Sequence, residues 1–244
     1  RRFVFPSYLG RAPEEEPDWG PGTPVRVPRG TVVEVSARAN APVSGGTIEV
    51  RRIAQGGEAP AGPVRRCALA PDGVTLRGDL FADASGVYRF LLDDPAGRVD
   101  PDPPQFTLDV VQDQAPQVRV LSPDPGAEVA RNGSIAVSVS ARDDHALSTL
   151  SLACRIERGE GWKGVPGYES AVEAERVLVR VPVRGPAATA RIALLVGGLF
   201  VAPGDRLRVR VLAEDADDLF GPHVGASEER VIQVVKPLRR VSQE

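Results

Sequence analysis

The sequence contains no methionine, only two lysines (Lys163 and Lys236), two histidines (His145 and His223) and two cysteines (Cys67 and Cys154). Two cysteines cannot build a disulfide framework, and without a CxxC pair or zinc spacing they do not suggest a metal domain. Cys154 falls in phase with Leu150, Leu152 and Ile156, so it reads as a buried, inert thiol on a strand. No apolar run approaches the roughly 18–20 residues that span a bilayer. With no methionine and no visible signal peptide, the chain is expected to be an interior piece of a longer protein, with any anchor outside it. Acidic residues number 33 against 30 basic ones, which leaves no global field to draw nucleic acid or an anionic membrane. Helical periodicity is missing too, except over about one turn at Ser170–Glu175.

What the chain does have is punctuation and alternation. Its 25 glycines and 23 prolines are spread as turn residues, a pattern of all-β proteins. Between them, Thr31–Ala39, Thr47–Arg52, Val64–Leu69, Thr75–Phe81, Gly86–Asp93 and Gln105–Val111 alternate apolar and polar residues as short strands do. Phe3–Tyr8 or Val25–Val27 supplies a first strand. After Val111–Pro116 the pattern restarts at Gln117–Ser122, Ser134–Arg142, Leu147–Arg158, Val177–Val183, Ala188–Leu195, Leu207–Ala213 and Glu229–Val235. The tetrapeptide VSAR recurs at Val35–Arg38 and Val139–Arg142, each followed by a polar break, Asn40 in one and Asp143–Asp144 in the other. The matched order of elements makes duplication the natural reading. The fold class expected is all-β: two tandem Ig-like or fibronectin-like β-sandwich domains, residues 1–113 and 114–238, with 239–244 a C-terminal tail. Tyr88, entering a late strand after the turn at Asp83–Gly86, fits the tyrosine corner of such sandwiches, whose hydroxyl bonds back to upstream backbone.

Several stretches, FPSYLG (Phe5–Gly10), VPRGTVVEVSARAN (Val27–Asn40), GVYRFLLDDPAG (Gly86–Gly97), DQAPQVRVLSPDPGAEV (Asp113–Val129), ARDDHALSTLSLACRI (Ala141–Ile156) and PGDRLRVRVLAEDADDLFGP (Pro203–Pro222), resemble in their order the Ig-like repeat region of an uncharacterised bacterial membrane-anchored family, a domain of unknown function. The resemblance implies an extracytoplasmic setting, periplasm or cell surface, with the membrane reached only through flanking segments. It brings no catalytic residues.

Catalytic motifs are absent. The chain has no G-x-S-x-G, Walker A, H-E-x-x-H or G-x-G-x-x-G pattern, and Leu195–Phe200 is glycine-rich but leads into a strand, not a helix N-terminus. A non-enzymatic structural spacer or protein-interaction segment is therefore expected, its partner an unknown protein or adjoining domains of the same chain. Two alternatives rest on named residues. In an Ig-like topology the entering linker (Asp113), the turn at Asp143–Asp144 and the loop at Asp215, Asp217 and Asp218 converge at one end of the second domain, the place where calcium rigidifies adhesion modules. Asp is equally a favoured turn residue, and the turn reading is preferred, with no cofactor required. His145 and His223 fall at the same end and would admit a softer metal such as zinc. The second alternative is a carbohydrate-binding module that uses Trp162 and Tyr168 on a glycine-rich excursion, against which stands an aromatic that folds back over the sandwich edge. Alternating arginines in Val179–Ile192 and Arg206–Leu212 read as solvated strand faces whose charge resists edge association.

Overall fold

The computed structural model describes residues 1–16, 20, 22–54, 57–98, 100–163, 165–166 and 172–237, with side chains described except at 53, 54 and 57–63. The tail at 239–244, Trp19 and Tyr168 lie outside the described residues. The chain divides into two compact units, Arg1–Asp113 and Gln114–Glu244.

In the first unit, one sheet runs in the order β2 (Glu14–Glu15), β1 (Arg2–Val4), β4 (Val32–Arg38), β8 (Thr75–Phe81), β7 (Ala68–Leu69). The other runs β3 (Val25–Pro28), β10 (Gln105–Val111), β9 (Gly86–Asp93), β5 (Gly45–Ala54), β6 (Gly57–Arg66), with β3 parallel to β10 and the other pairs antiparallel. The cause is visible along each strand. In β10 the residues alternate so that Phe106, Leu108 and Val110 are buried while Gln105, Thr107 and Asp109 are exposed. Val33 and Val35 of β4, Ile48 of β5, Leu76 and Leu80 of β8 and Tyr88 of β9 complete the core between the two sheets. Phe106 stacks on Tyr88 at 5.2 Å between centroids and meets Phe90 edge-on at 6.4 Å. Tyr88 is fully buried, and that burial pushes its phenol up to about 12. The buried Arg1 side chain lies near it, and its positive charge acts against that rise.

The second unit repeats the plan with one change. Strands β11 (Gln117–Ser122), β13 (Ser134–Glu157), β15 (Arg206–Asp215), β17 (Arg230–Val235) and β12 (Glu128–Ala130) lie in that order, with β14 (Arg176–Leu195) against β13 and β16 (Val224–Ala226) against β15. Strands β13 and β14, of 24 and 20 residues, each serve twice. Ser134–Arg142 pairs with the second half of β14, and Leu147–Cys154 pairs with its first half and with β15. The ladder slips between Arg142 and Leu147, where Asp143–Ala146 bulge out and the strand bends from one layer to the other. Opposite the bend, Gly185 adopts φ 90°, a left-handed conformation that side-chain-bearing residues rarely hold. The polar break at Asp143–Asp144 is therefore a corner inside a continuous strand and not a turn between two. The helical turn expected at Ser170–Glu175 does not form over its described part: Val172 bridges Glu157 and β14 starts at Arg176. The core is built from Val137, Val139, Leu150, Leu152, Cys154 and Ile156 of β13, Ile192 and Leu194 of β14, Leu207, Val209 and Val211 of β15, and Ile232 and Val234 of β17. Cys154 sits inside it, where burial pushes the thiol up to about 12 and keeps it unreactive at neutral pH.

Both copies of VSAR lie on equivalent strands, with Val35 and Val139 facing their respective cores. Val137, Val139 and Ala141 are fully buried on one side of the strand, which is why the repeat survives as an alternating pattern.

Candidate functional site

Strand β15 carries the chemistry of the second unit at its two ends. Nine steps of about 3.3 Å each lead from Arg206 to Asp215, so the two clusters lie about 30 Å apart along the strand.

At the end of β15, period-2 alternation continues past Leu207, Val209, Val211 and Ala213 to place Asp215 on the buried side. Its carboxylate accepts hydrogen bonds from the main-chain N–H of Asp217 (3.0 Å) and of His223 (3.1 Å), and lies 2.8 Å from His223 Nδ1. Asp217, also buried, accepts from the N–H groups of Leu219 (2.8 Å) and Phe220 (3.0 Å). These bonds hold the loop from Ala216 to His223 in shape. The β13 corner packs beside it: Ala216 N–H donates to the Ala146 carbonyl, and Ser148 Oγ donates to the carbonyls of Glu214 and Asp215. Asp143 is half-buried and accepts from the His145 N–H at 2.9 Å, while Asp144 is exposed, 3.8 Å from His145 Nε2. Asp218 is exposed. The structure thus brings Asp143, Asp144, Asp215, Asp217, Asp218, His145 and His223 to one end of the second unit. Asp113 is the last residue of the first unit and is described with it. A recess of about 180 Å³ opens beside the corner, lined by Gln114, Ala115, Gln117, Arg142, Asp143 and Asp144.

The electrostatics at the corner are unfavourable to charge. Burial raises Asp143 above the ordinary carboxylate value of 3.8, and the charges of Asp144 and Asp215 push the same way against the His145 N–H. A carboxyl that holds its proton to higher pH in the folded chain than in the unfolded one destabilises the fold once ionised. That cost is present at neutral pH and fades as pH falls through the raised value towards 3.8. Asp143→Asn keeps the oxygen that accepts from His145 and removes the charge. It is expected to raise the melting temperature at pH 7, with a gain that shrinks as the pH is lowered through the acid range; a loss of stability at pH 7 would contradict this account.

At the start of β15 a different cluster closes the unit. Asp205 is 1% exposed and accepts four hydrogen bonds: from Gly159 N–H (2.8 Å), Ala202 N–H (2.9 Å), Trp162 Nε1 (3.0 Å) and Arg158 (3.1 Å). The Arg158 side chain is almost wholly buried. It also pairs with Glu173, donates to the Phe200 carbonyl at 2.8 Å, and lies 4.6 Å from the centre of the Trp162 ring. Trp162 is half-buried, with its N–H committed to Asp205, so it folds back over the sandwich end. Nothing in the sequence pattern singled out Asp205, Arg158 or Glu173. The proline–glycine turn before Asp205 was the available signal, since it sets a carboxylate immediately before a strand.

Two sheets in the first unit, and in the second one sheet bent at the β13 corner, each enclose an apolar core, which makes each unit an all-β, Ig-like sandwich. No family model matches the chain, and no curated protein matches it. Solved structures similar to it include fibronectin(III)-like modules of CbhA from Clostridium thermocellum, at 14% identity over 91% of this chain and 93% of that one, with a TM-score of 0.27. The titin domains z1z2 in complex with telethonin are similar at 13% identity over 88% and 93%, with a TM-score of 0.32. A marsupial T cell receptor is similar at 10% identity over 90% and 74%, with a TM-score of 0.38. Scores of this size carry no argument about activity. Among the described residues, no helix is long and apolar enough to cross a membrane.

Proposed function

We propose that the chain is a non-enzymatic tandem Ig-like module, a spacer or protein-interaction segment of a larger membrane-anchored protein, working outside the cytoplasm. One observation carries the reading. The side chains best suited to chemistry in the second unit, Asp205, Arg158, Asp215 and Asp217, are each buried or nearly so and bonded to loop backbone or to one another. Carboxylates held by two to four donors serve to fasten loops, the task of a module that bears load or presents a surface. The family resemblance of the sequence supports the setting.

Replacing this segment in the parent gene by an unrelated Ig-like pair of equal length tests the reading. A pure spacer survives the exchange; an interaction segment reaches the membrane normally and loses its partner. If neither parent nor chimera is exposed to protease on intact spheroplasts, the extracytoplasmic setting is wrong. The calcium reading separates from the turn reading in the same preparation. With the carboxylates fastening loops, millimolar calcium is expected to leave the melting temperature unchanged. A rise that Asp143→Asn abolishes would instead establish an ion site.

A further inference from the structure

The longest strand edge in the second unit belongs to β14. This strand pairs with β13 alone, and among the described residues no other main-chain hydrogen bond reaches residues 176–195. Because β14 bends with β13 across both layers, the two layers share one uninterrupted border of 20 residues. The free edges elsewhere in this unit, β11 with 6 residues and β12 with 3, are short by comparison.

That border has one sign of charge. From Arg176 to Gly204 the sequence holds Arg176, Arg180, Arg184 and Arg191 and no acidic residue. All four arginines are exposed, and none forms an ion pair among the described residues. Elsewhere on the same unit many arginines are matched, Arg155 and Arg208 with Glu229, Arg208 also with Glu157, Arg210 with Glu175, and Arg230 with Glu228, whereas Arg119, Arg131 and Arg142 form no ion pair among the described residues. Four of the unmatched arginines fall on β14, the strand with the longest open main chain of this unit. Val177 and Leu195, 41% and 69% exposed, add apolar contact near its two ends.

We propose that the β14 edge receives an acidic, extended segment of a partner protein as an added strand. Main-chain N–H and C=O groups of β14 would supply the ladder, and its arginines the selectivity. A second copy of this chain is the poorer occupant. Antiparallel pairing of two β14 strands centred on Arg180 sets Arg176 against Arg184 and Arg180 against itself, and no register brings in a carboxylate. Nucleic acid is disfavoured because no aromatic residue stands between Arg176 and Leu199 to stack on a base. Pro182 and Pro186 each remove one donor, which blunts indiscriminate pairing and leaves the charge to choose the partner. This inference rests on the interaction half of the function proposed above and names the partner's chemistry.

A short capped peptide of alternating Glu and Val, titrated into the whole chain and followed by amide shifts and calorimetry, tests it. The expected result is saturable binding with shifts confined to β14 and its neighbour β13. Reversing Arg176, Arg180 and Arg184 to Glu should weaken binding about tenfold or more with the melting temperature unchanged. Methylating alternate peptide nitrogens, which leaves the charge and removes ladder donors, should abolish it. Absence of binding overturns the proposal and leaves the arginines as guards against association. Equal binding of the methylated peptide, or equal competition by an oligothymidylate, also overturns it and reduces the edge to a plain cationic patch. The domain exchange reads the role of the whole module and this titration reads one strand, so failure of either is distinguishable from failure of the other.

Discussion

Asp205→Ala is expected to lower the stability of the second unit by about 3–5 kcal/mol, the range for breaking a buried ion pair from one side. The reason is a count of what loses its partner. Arg158 is buried and would lose its most deeply buried carboxylate partner, and the N–H groups of Gly159, Ala202 and Trp162 would lose this acceptor. Each orphaned donor adds to the cost of the uncompensated charge. In a calorimetric scan the transition of the second unit should fall by roughly 10 °C or more, while that of the first unit stays where it was. Asp205→Asn should cost less, because an amide keeps one acceptor oxygen for these donors. Trp162→Phe removes a single donor and leaves the ring under Arg158, so it should cost about 1 kcal/mol. Its coupling to Asp205→Asn in a double-mutant cycle would report the hydrogen bond itself. If Asp205→Ala proves neutral, the cluster does not close this end of the sandwich.

Gly225→Ala is expected to be the most damaging single methyl in the second unit. A Cβ built on Gly225 lies 1.7 Å from the Pro116 carbonyl oxygen, well inside contact, and the neighbour is backbone rather than the tip of a side chain. Relief requires moving either the chain entering β11 or the short strand β16, which pairs with β15 through Leu212, Ala213 and Glu214. Overpacking of this kind costs about 1–3 kcal/mol where side chains can yield, and more where only backbone can. Gly197→Ala is the matched control, since the only heavy atom near its Cβ is at 3.7 Å, and it should be close to neutral. Guanidinium melts of the two variants side by side check the contrast. Equal stability would mean that the close approach of β16 to Pro116 is not a constraint on the fold.

The variants differ in how far the sequence could have announced them. Strand positions were legible because alternation is a local property: β8, β9, β10 and β11 run over the residues whose apolar phase marks them. The buried phase of β15 was legible as far as Ala213; Asp215, read as a loop residue, instead ends the strand in the same buried phase. The corner at Asp143–Ala146 was not legible. A polar interruption between two apolar runs reads the same whether the chain turns back or bends within one strand, and only the pairing with β14 distinguishes them. Trp162 folds back over the sandwich edge as its glycine-rich setting allowed, but its acceptor was not legible, because Asp205 lies 43 residues away in sequence.

By itself the sequence determined that this protein is all strand, that it carries two separate apolar cores, and that its chemistry would sit where strands end. Period-2 burial needs no knowledge of partners, so these properties follow from residue order alone. The tertiary structure decided the rest: that β13 and β14 each cross both layers, that their joint border is left open with its arginines unmatched, and that Asp205 and Asp215 are bound inside the unit instead of facing solvent. Those outcomes depend on which donor meets which acceptor across long separations of chain. No local pattern encodes that choice; the packing of the sheets makes it.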